Sequence, residues 1–382
     1  MSDTPDSTPS RPILILVPRS NSTPGAGPVI LGLSLGERAR LAAKRAGFAQ
    51  EIDLTAGTPL PPASGSLLVL AAVEILAEVS WLKAAAASSL VQWGALGDRL
   101  ILIPPSQAAA AIEALRPGDA NMGEVIPALT QRLGTPGSLP PGIDPMIVAG
   151  PADYRPAERR LLRALVKDTD GFMARHFDRP ISLAVSRRLA STSITPNQMT
   201  LISVVIGLIG APFFLSAQPL WQTIGALLFL AHSVLDGCDG ELARLKFRES
   251  RWGGVLDFWG DNVVHSAIFA CIGIGWSWAN GAGWPLLLGA AAVFGTLGSA
   301  SLVYWRTMRP KTGTGPLYTS VAKEPGKRFS QVLDALSRRD FIYGVVVLAL
   351  FGWVKYFLLL SAIGAPGFFF ALIYLARKES RP

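Results

Sequence analysis

The chain has 382 residues, of which half are hydrophobic and only 16% are charged, and its formal net charge is +8. This length allows two domains, and so low a charged fraction is unusual for a wholly water-soluble enzyme. The only two cysteines, Cys238 and Cys271, lie in apolar segments, which excludes a disulfide framework and a cysteine zinc site.

The charge is divided unevenly along the chain. Residues 1–150 carry 10 Lys and Arg against 12 Asp and Glu, whereas residues 151–382 carry 25 against 15 and contain nearly all the long apolar runs. Basic residues beside apolar runs are typical of the cytoplasmic loops of membrane proteins. We therefore interpret the positive charge in this way, and we expect no binding to nucleic acid.

Residues 1–150 are predicted to form a cytosolic α/β domain. Apolar runs typical of buried parallel strands occur at 12–18, 66–72 and 99–105. Helical patterns fall between these runs, and strands that alternate with helices predict a doubly wound sheet.

Residues 151–195 are predicted to be a linker that contains an interfacial helix. The segment 170–190 mixes four arginines with apolar residues, which suits a helix lying on the cytoplasmic face of a bilayer. The alternative is an ordinary linker helix packed on the soluble domain. The residues concerned are Arg175, Arg179, Arg187, Arg188, Phe172, Phe177, Ile181, Leu183 and Leu189.

Residues 196–382 are predicted to form an all-α bundle of six transmembrane helices, since each span needs roughly 20 apolar residues. Helix breakers at 352–355 and at 363–367 leave two possible places for the turn between the last two helices. The candidate spans are near 197–217, 221–244, 253–276 and 284–305, followed by a tight pair within 340–375.

Basic loops predict the orientation of these spans. Residues 244–251 and 306–339 are strongly basic, whereas residues 216–220 and 277–283 carry no charge. Because positive loops stay in the cytoplasm, we expect both termini there, in a multi-pass protein of the inner (cytoplasmic) membrane.

Four aspartates interrupt the apolar part of the chain. Asp236 and Asp239 share one face of the second span, and Asp257 and Asp261 share one face of the third, because residues three or four apart lie on one side of a helix. A short loop makes these spans antiparallel neighbours, so the carboxylates can converge. Charged groups at membrane depth are costly unless they are compensated, and hard divalent cations prefer oxygen ligands. The sequence therefore predicts a centre of two divalent ions, which suits a pyrophosphate ligand.

Gly240, Ala243 and Arg244 continue the stripe of Asp236 and Asp239. Small residues leave room for a ligand against the backbone, and the Arg244 guanidinium suits phosphate oxygens. The structural alternatives are aspartates that cap a helix and an ion pair between Arg244 and Asp257.

This spacing resembles the signature of the CDP-alcohol phosphotransferase superfamily. The signature runs Asp, two residues, Asp-Gly, two residues, Ala-Arg, eight residues, Gly, three residues, Asp, three residues, Asp, and every fixed position matches between Asp236 and Asp261. The resemblance implies a six-helix membrane enzyme, commonly a homodimer, that uses Mg²⁺ or Mn²⁺. Such enzymes transfer a phosphoalcohol group from a CDP-alcohol to an acceptor hydroxyl and release CMP, in phospholipid or inositol-phosphodiester synthesis.

The resemblance also implies roles for individual residues. Asp261 is the implied general base. The implied ligands of the two metal ions are Asp236, Asp239, Asp257 and Asp261. Asn197 lies in a segment, 195–200, that matches the family's entry motif, although a plain helix cap explains it equally well. The implied nucleotide contacts are Asn197, Asp236, Gly240, Ala243 and Arg244.

The acceptor pocket is less clearly marked. Arg306, Arg338 and Arg339 lie at the cytoplasmic level and are candidates to hold an acceptor phosphate, but positive-inside topology explains them equally well. His232 and His265 are interpreted as structural residues of the bundle.

The domain order and the segment 170–182 resemble the di-myo-inositol phosphate phosphate synthase type, in which a nucleotidyltransferase domain precedes the membrane domain. Residues 19–28 contain no compact glycine loop leading to a basic residue, and the expected aspartate after the second strand is replaced, with Glu74 as a displaced substitute. Without a metal ligand the charge of a nucleoside triphosphate would be unbalanced. We therefore predict a degenerate, structural or regulatory domain.

Two alternatives remain at this point. One is a bifunctional inositol-phosphate cytidylyltransferase and phosphotransferase with an active first domain. The other is a divalent-cation transporter, which would not need Gly240, Ala243 and Arg244 on one face.

Overall fold

The computed structural model describes residues 11–17, 27–54, 66–115, 122–166, 170–309 and 341–379. The chain divides into two compact units, Met1–Arg163 and Ala164–Pro382. The first unit combines strands with helices, and the described part of the second is helical.

The first unit contains a five-stranded sheet with helices around it. Five of the unit's described strands form this sheet, and the other four form two small two-stranded sheets. The strands of the unit are β1 (Ile13–Val17), β2 (Val29–Ile30), β3 (Leu33–Ser34), β4 (Gln50–Asp53), β5 (Leu68–Ala72), β6 (Ile75–Leu76), β7 (Gly94–Leu96), β8 (Leu100–Ile103) and β9 (Met146–Ile147). Its helices are α1 (Leu35–Ala46), α2 (Val79–Ala86), α3 (Ala108–Ala114), α4 (Met122–Leu133) and α5 (Pro151–Arg163).

The main sheet is mixed, in the order β4-β1-β5-β8-β7. β1 is parallel to β4 and β5, but β8 is antiparallel to β5 and to β7. The prediction of a parallel strand within 99–105 is therefore wrong, and the doubly wound sheet is not confirmed. The reason is local: a tight turn at Gly97, with φ of 50°, folds β8 back along β7.

Apolar burial explains the three central strands. Every residue of β1, β5 and β8 is buried, as expected for continuous apolar runs covered on both faces. Arg38 of α1 is buried beside this core, and its Nη2 donates a hydrogen bond of 3.0 Å to the Ile30 carbonyl. Burial lowers the pKa of Arg38 to about 10.

The second unit follows the helical plan of the sequence. A π-helical turn, Ala174–Asp178, precedes α6, a 3₁₀ turn, Ala211–Leu215, extends α7, and a second π-helical turn, Tyr304–Met308, follows α10. Its helices are α6 (Arg179–Ala190), α7 (Pro196–Gly210), α8 (Pro219–Leu245), α9 (Arg251–Asn280), α10 (Trp284–Val303), α11 (Phe341–Leu350) and α12 (Val354–Glu379).

Four helical segments are long and apolar enough to cross a membrane: Pro196–Leu215, Arg251–Asn280, Trp284–Arg306 and Val354–Arg377. Helix α8 has 27 residues, a sufficient length, but its second half carries the charged stripe. Helix α11 has 10 residues in the described part. A multi-pass membrane protein is therefore supported, and six spans remain a prediction.

The helix ends have local causes. Thr195 and Gln198 form a reciprocal capping box at the start of α7, with Pro196 in the first position. Between α11 and α12 the chain turns at Gly352, with φ of 71°. Of the two predicted places for this turn, the structure uses 352–355, and α12 continues through Pro366.

Helix α6 packs on α8 with its small residues. The buried face is Ser182, Ser186 and Ala190, spaced four apart. Outside it, Phe172 is 66% exposed and Ile181 54% exposed. Phe172, Phe177 and Ile181 are therefore exposed in the described part of the protein, whereas Leu183 and Leu189 are half-buried.

Candidate metal centre

Three of the four predicted aspartates converge between α8 and α9. The carboxylate oxygens of Asp236, Asp239 and Asp257 lie within 4.8 Å of one another; Asp236 and Asp239 are buried, and Asp257 is half-buried. At this separation two negative charges repel by about 3 kcal/mol for each pair at an effective dielectric constant of about 20. A hard divalent cation removes this repulsion, and an all-oxygen ligand set is the one such cations prefer. The residues present therefore fit a divalent metal ion.

Asp239 is held in place by two donors. Thr200 on α7 donates its hydroxyl to Oδ2, and the backbone N–H of Gly240 donates to Oδ1. Hydrogen bonds of this kind orient carboxylate ligands and are part of a metal site.

Asp261 lies outside the cluster of three carboxylates. Its Oδ1 is 3.3 Å from Nε2 of His232, and its side chain is 19% exposed. The other ring nitrogen of His232 lies 2.9 Å from the carbonyl of Ser203. Because a carbonyl only accepts, this contact places a proton on Nδ1 of His232. The structure thus gives Asp261 a neighbour of its own on α8.

His265 occupies a structural position. Its Nδ1 lies 2.7 Å from the carbonyl oxygen of Asp261, one helical turn earlier, and its ring packs edge-on against Phe229 at 5.1 Å. Both contacts agree with the structural interpretation of this histidine.

The predicted nucleotide residues surround the same region. The Asn197 side chain lies against Gly253 at the start of α9, where a Cβ atom would come within 2.9 Å of Asn197 Oδ1. A Cβ atom on Gly240 would lie 3.4 Å from Nη1 of Arg244, so the guanidinium lies directly beside Gly240. Ala243 is buried.

The acceptor residues are only partly described. The Arg306 guanidinium donates a hydrogen bond of 3.1 Å from Nη2 to the carbonyl of Ala376 near the end of α12. Arg338 and Arg339 lie outside the described residues.

Sequence reasoning missed a polar cluster on the other side of α8. We call it the Glu241 cluster; it consists of Asp170, Arg179, Ser182, Ser186 and Glu241. Burial alone would lower the pKa of Arg179, but hydrogen bonds and charges from Asp170 and Glu241 outweigh burial and raise that pKa. The available signal was the position of Glu241, a third acidic residue in the second half of an otherwise apolar helix.

In the first unit, the structure describes one of the residues considered in the sequence analysis for binding a metal. Glu74, the displaced substitute for a metal ligand, forms an ion pair with Arg99. Most of the segment 19–28 lies outside the described residues.

Apolar helices that enclose a carboxylate cluster define a helical membrane protein with a candidate divalent-cation centre. The sequence model of the CDP-alcohol phosphatidyltransferase family matches residues 193–333. This part of the chain is thus similar to that family of transferases, and the resemblance seen in the sequence is confirmed.

Several relatives agree with the family. The chain is 33% identical over 186 residues to the bifunctional IPC transferase and DIPP synthase of Thermococcus kodakarensis, a match that covers 48% of this chain and 41% of the relative. It is 39% identical over 123 residues to the protein of the same name from Archaeoglobus fulgidus, covering 32% of this chain and 24% of the relative. It is 28% identical over 173 residues to the archaetidylinositol phosphate synthase of Pyrococcus horikoshii, covering 45% of this chain and 85% of the relative. The chain thus spans less than half the length of these two bifunctional relatives.

Proposed function

We propose that the chain is an integral membrane CDP-alcohol phosphotransferase. It transfers a phosphoalcohol group from a CDP-alcohol to an acceptor hydroxyl and releases CMP. The observation that carries this proposal is the convergence of Asp236, Asp239 and Asp257 within 4.8 Å, inside the segment that matches the family.

The carboxylates would hold two divalent ions, Mg²⁺ or Mn²⁺, together with Asp261. When bound, such ions neutralise the diphosphate and stabilise the charge that develops on it during displacement. Arg244 would bind the phosphate oxygens as a fixed positive charge. Asn197, Gly240 and Ala243 would line the nucleotide end of the site.

Asp261 would be the general base. In the proposed step the acceptor hydroxyl oxygen attacks the phosphorus of the phosphoalcohol group, and its proton passes to the Asp261 carboxylate. The bond from this phosphorus to the bridging oxygen breaks, and CMP leaves. The position of Asp261 outside the tight cluster supports this role, because a carboxylate fully engaged by cations is a weaker proton acceptor.

The membrane arrangement is part of the proposal. We propose six spans with both termini in the cytoplasm, in the inner membrane, and a homodimer as in the family. The exposed Phe172, Phe177 and Ile181 support a position of the α6 segment in the membrane interface.

For residues 1–150 we propose a degenerate nucleotidyltransferase-like domain with a structural or regulatory role. The ion pair between Glu74 and Arg99 supports this, because it engages the acidic side chain that would have to bind a metal. The names of the two bifunctional relatives favour a second candidate, a bifunctional enzyme with an active first domain.

The acceptor is proposed from the relatives' names alone. One relative is named for archaetidylinositol phosphate, so an inositol phosphate is the first acceptor to test. Arg306, Arg338 and Arg339 would hold its phosphate.

The test is CMP release by the purified full chain. The protein is incubated with a panel of CDP-alcohols and acceptors in Mg²⁺ or in chelator, and the products are identified by mass spectrometry. Asp144→Asn, at a side chain that is 88% exposed in the first unit, is the control for substitutions of the site aspartates. Metal flux in proteoliposomes without nucleotide, together with no CMP release, would favour a transporter instead.

A further inference from the structure

Glu241 lies two residues after Asp239 and is fully buried against α6. Its Oε1 accepts hydrogen bonds of 2.7 Å from Nη1 of Arg179 and from Ser182, and its Oε2 accepts one of 2.7 Å from Ser186. All three donors come from α6. This helix therefore engages both oxygens of the carboxylate.

Arg244 lies three residues after Glu241 on α8, and opposite charges at this spacing ordinarily pair along a helix surface. Here they do not pair by hydrogen bonding: Nε of Arg244 is buried and makes no hydrogen bond to any residue that the structure describes. The guanidinium lies over Gly240 instead, with Nη1 3.4 Å from the place of a Cβ atom there. Because the donors of α6 already occupy both oxygens of Glu241, the guanidinium N–H groups of Arg244 are not used to bind this carboxylate.

The remaining charges of the cluster favour the same arrangement. Asp170 accepts hydrogen bonds of 2.8 Å and 2.9 Å from Nε and Nη2 of Arg179, so this guanidinium is shared between two carboxylates. With one cation and two anions, the cluster has one net negative charge. It attracts Arg244 electrostatically without using its hydrogen-bond donors.

We propose that the Glu241 cluster positions Arg244 for the diphosphate of the donor. Helix α6 satisfies Glu241, and the guanidinium is thereby left to bind phosphate oxygens. This inference rests on the proposed function and adds a role for residues outside the family signature. Ser182, Ser186 and Glu241 act through Arg244 and are positioning residues.

The test begins with the double variant Ser182→Ala/Ser186→Ala in the full chain. It removes two of the three donors to Glu241, and a buried acceptor without donors is unfavourable. Arg244 then turns to Glu241. We expect the KM for a CDP-alcohol and the Kd for CDP to rise about tenfold or more, while kcat changes less than about twofold because the contact is made in the ground state as well.

A third substitution, Glu241→Gln, separates positioning from simple packing. A neutral amide does not hold a guanidinium as a carboxylate does, so in the triple variant the KM returns toward the wild-type value. Ser193→Ala, at an exposed serine just beyond α6, is the matched control and leaves the KM for the CDP-alcohol and the Kd for CDP unchanged. If the double variant does not purify as a folded protein, Ser186→Ala and Ser186→Thr replace it, and only the threonine variant keeps the wild-type KM.

Two outcomes overturn the inference: an unchanged KM in a folded double variant, or a raised KM that persists in the triple variant. Wild-type protein that binds no CDP in Mg²⁺ overturns the proposed function as well. Wild-type protein and variants that bind CDP equally well overturn only the role of the cluster.

Discussion

Thr200 on α7 and Asp239 on α8 are joined by a hydrogen bond from the hydroxyl to Oδ2. The same hydroxyl lies 3.3 Å from the carbonyl of Pro196, but its single proton goes to the carboxylate, the stronger acceptor. Thr200 thus links the N-terminal part of α7 to the candidate metal centre.

Loss of this hydroxyl should weaken metal binding. We expect Thr200→Val to raise the Mg²⁺ concentration needed for half-maximal CMP release by about 10- to 100-fold, the usual effect of removing a partner of a metal ligand. Thr200→Ser keeps the donor and is the control. Equal Mg²⁺ dependence in both variants would show that Asp239 needs no such support.

Asp261→Asn should separate proton transfer from binding. We expect CMP release to fall about 10²- to 10⁴-fold, the usual contribution of a general base. CDP binding should change only a few-fold, because Asp236, Asp239, Asp257 and Arg244 remain. A large loss of CDP affinity would instead identify Asp261 as mainly a metal ligand.

Metal removal should affect stability as well as turnover. Since the three carboxylates repel one another without a cation, Mg²⁺ or Mn²⁺ should raise the melting temperature, and chelator should lower it and stop CMP release. In Asp236→Asn/Asp257→Asn the repulsion is largely gone, so the melting temperature should no longer respond to Mg²⁺. A response of wild-type size in this variant would place the stabilising ion elsewhere.

Helices α10 and α12 should be sensitive to one added methyl group. A Cβ atom on Gly295 would lie 2.3 Å from the backbone of Ala365, so Gly295→Ala forces the two helices apart. We expect a loss of about 1–3 kcal/mol, as for other overpacked sites, measured as a lower melting temperature in detergent. Gly364→Ala is the control and should not be destabilising, because no atom of the described residues outside its own helical turn lies within 4 Å of the added Cβ.

The ion pair in the first unit gives a test of that domain. Glu74→Gln should lower its stability by about 1–3 kcal/mol, because a partly buried charged partner is removed, and CMP release by the second unit should continue. The full chain should not consume CTP in the presence of an inositol phosphate. CTP consumption that is lost in Glu74→Gln would establish the bifunctional alternative.

The sequence predicts the positions of those site residues that depend only on their spacing along a helix. Asp236 and Asp239 share a face of α8, and a short loop brings Asp257 beside them, as the structure shows. The separate position of Asp261 beside His232 was not predictable, because it depends on the packing of α7 and α8.

Other features depend on contacts that no local pattern records. The direction of β8 follows from a hairpin with β7, and an apolar run reads the same in either direction. The inward face of α6 consists of two serines and an alanine, so its pattern of large apolar residues did not indicate this face. The partner of Glu241 could not be found, since its donors lie more than 50 positions away along the chain.

The attachment of α6 to α8 has a consequence for vertical placement in the lipid. If α6 lies at the headgroup boundary as proposed, Glu241 would hold α8 at a fixed height relative to that boundary. We then expect a thicker or thinner bilayer to be accommodated at the other ends of the spans. The aspartates would keep a constant depth below the headgroups in bilayers of different thickness.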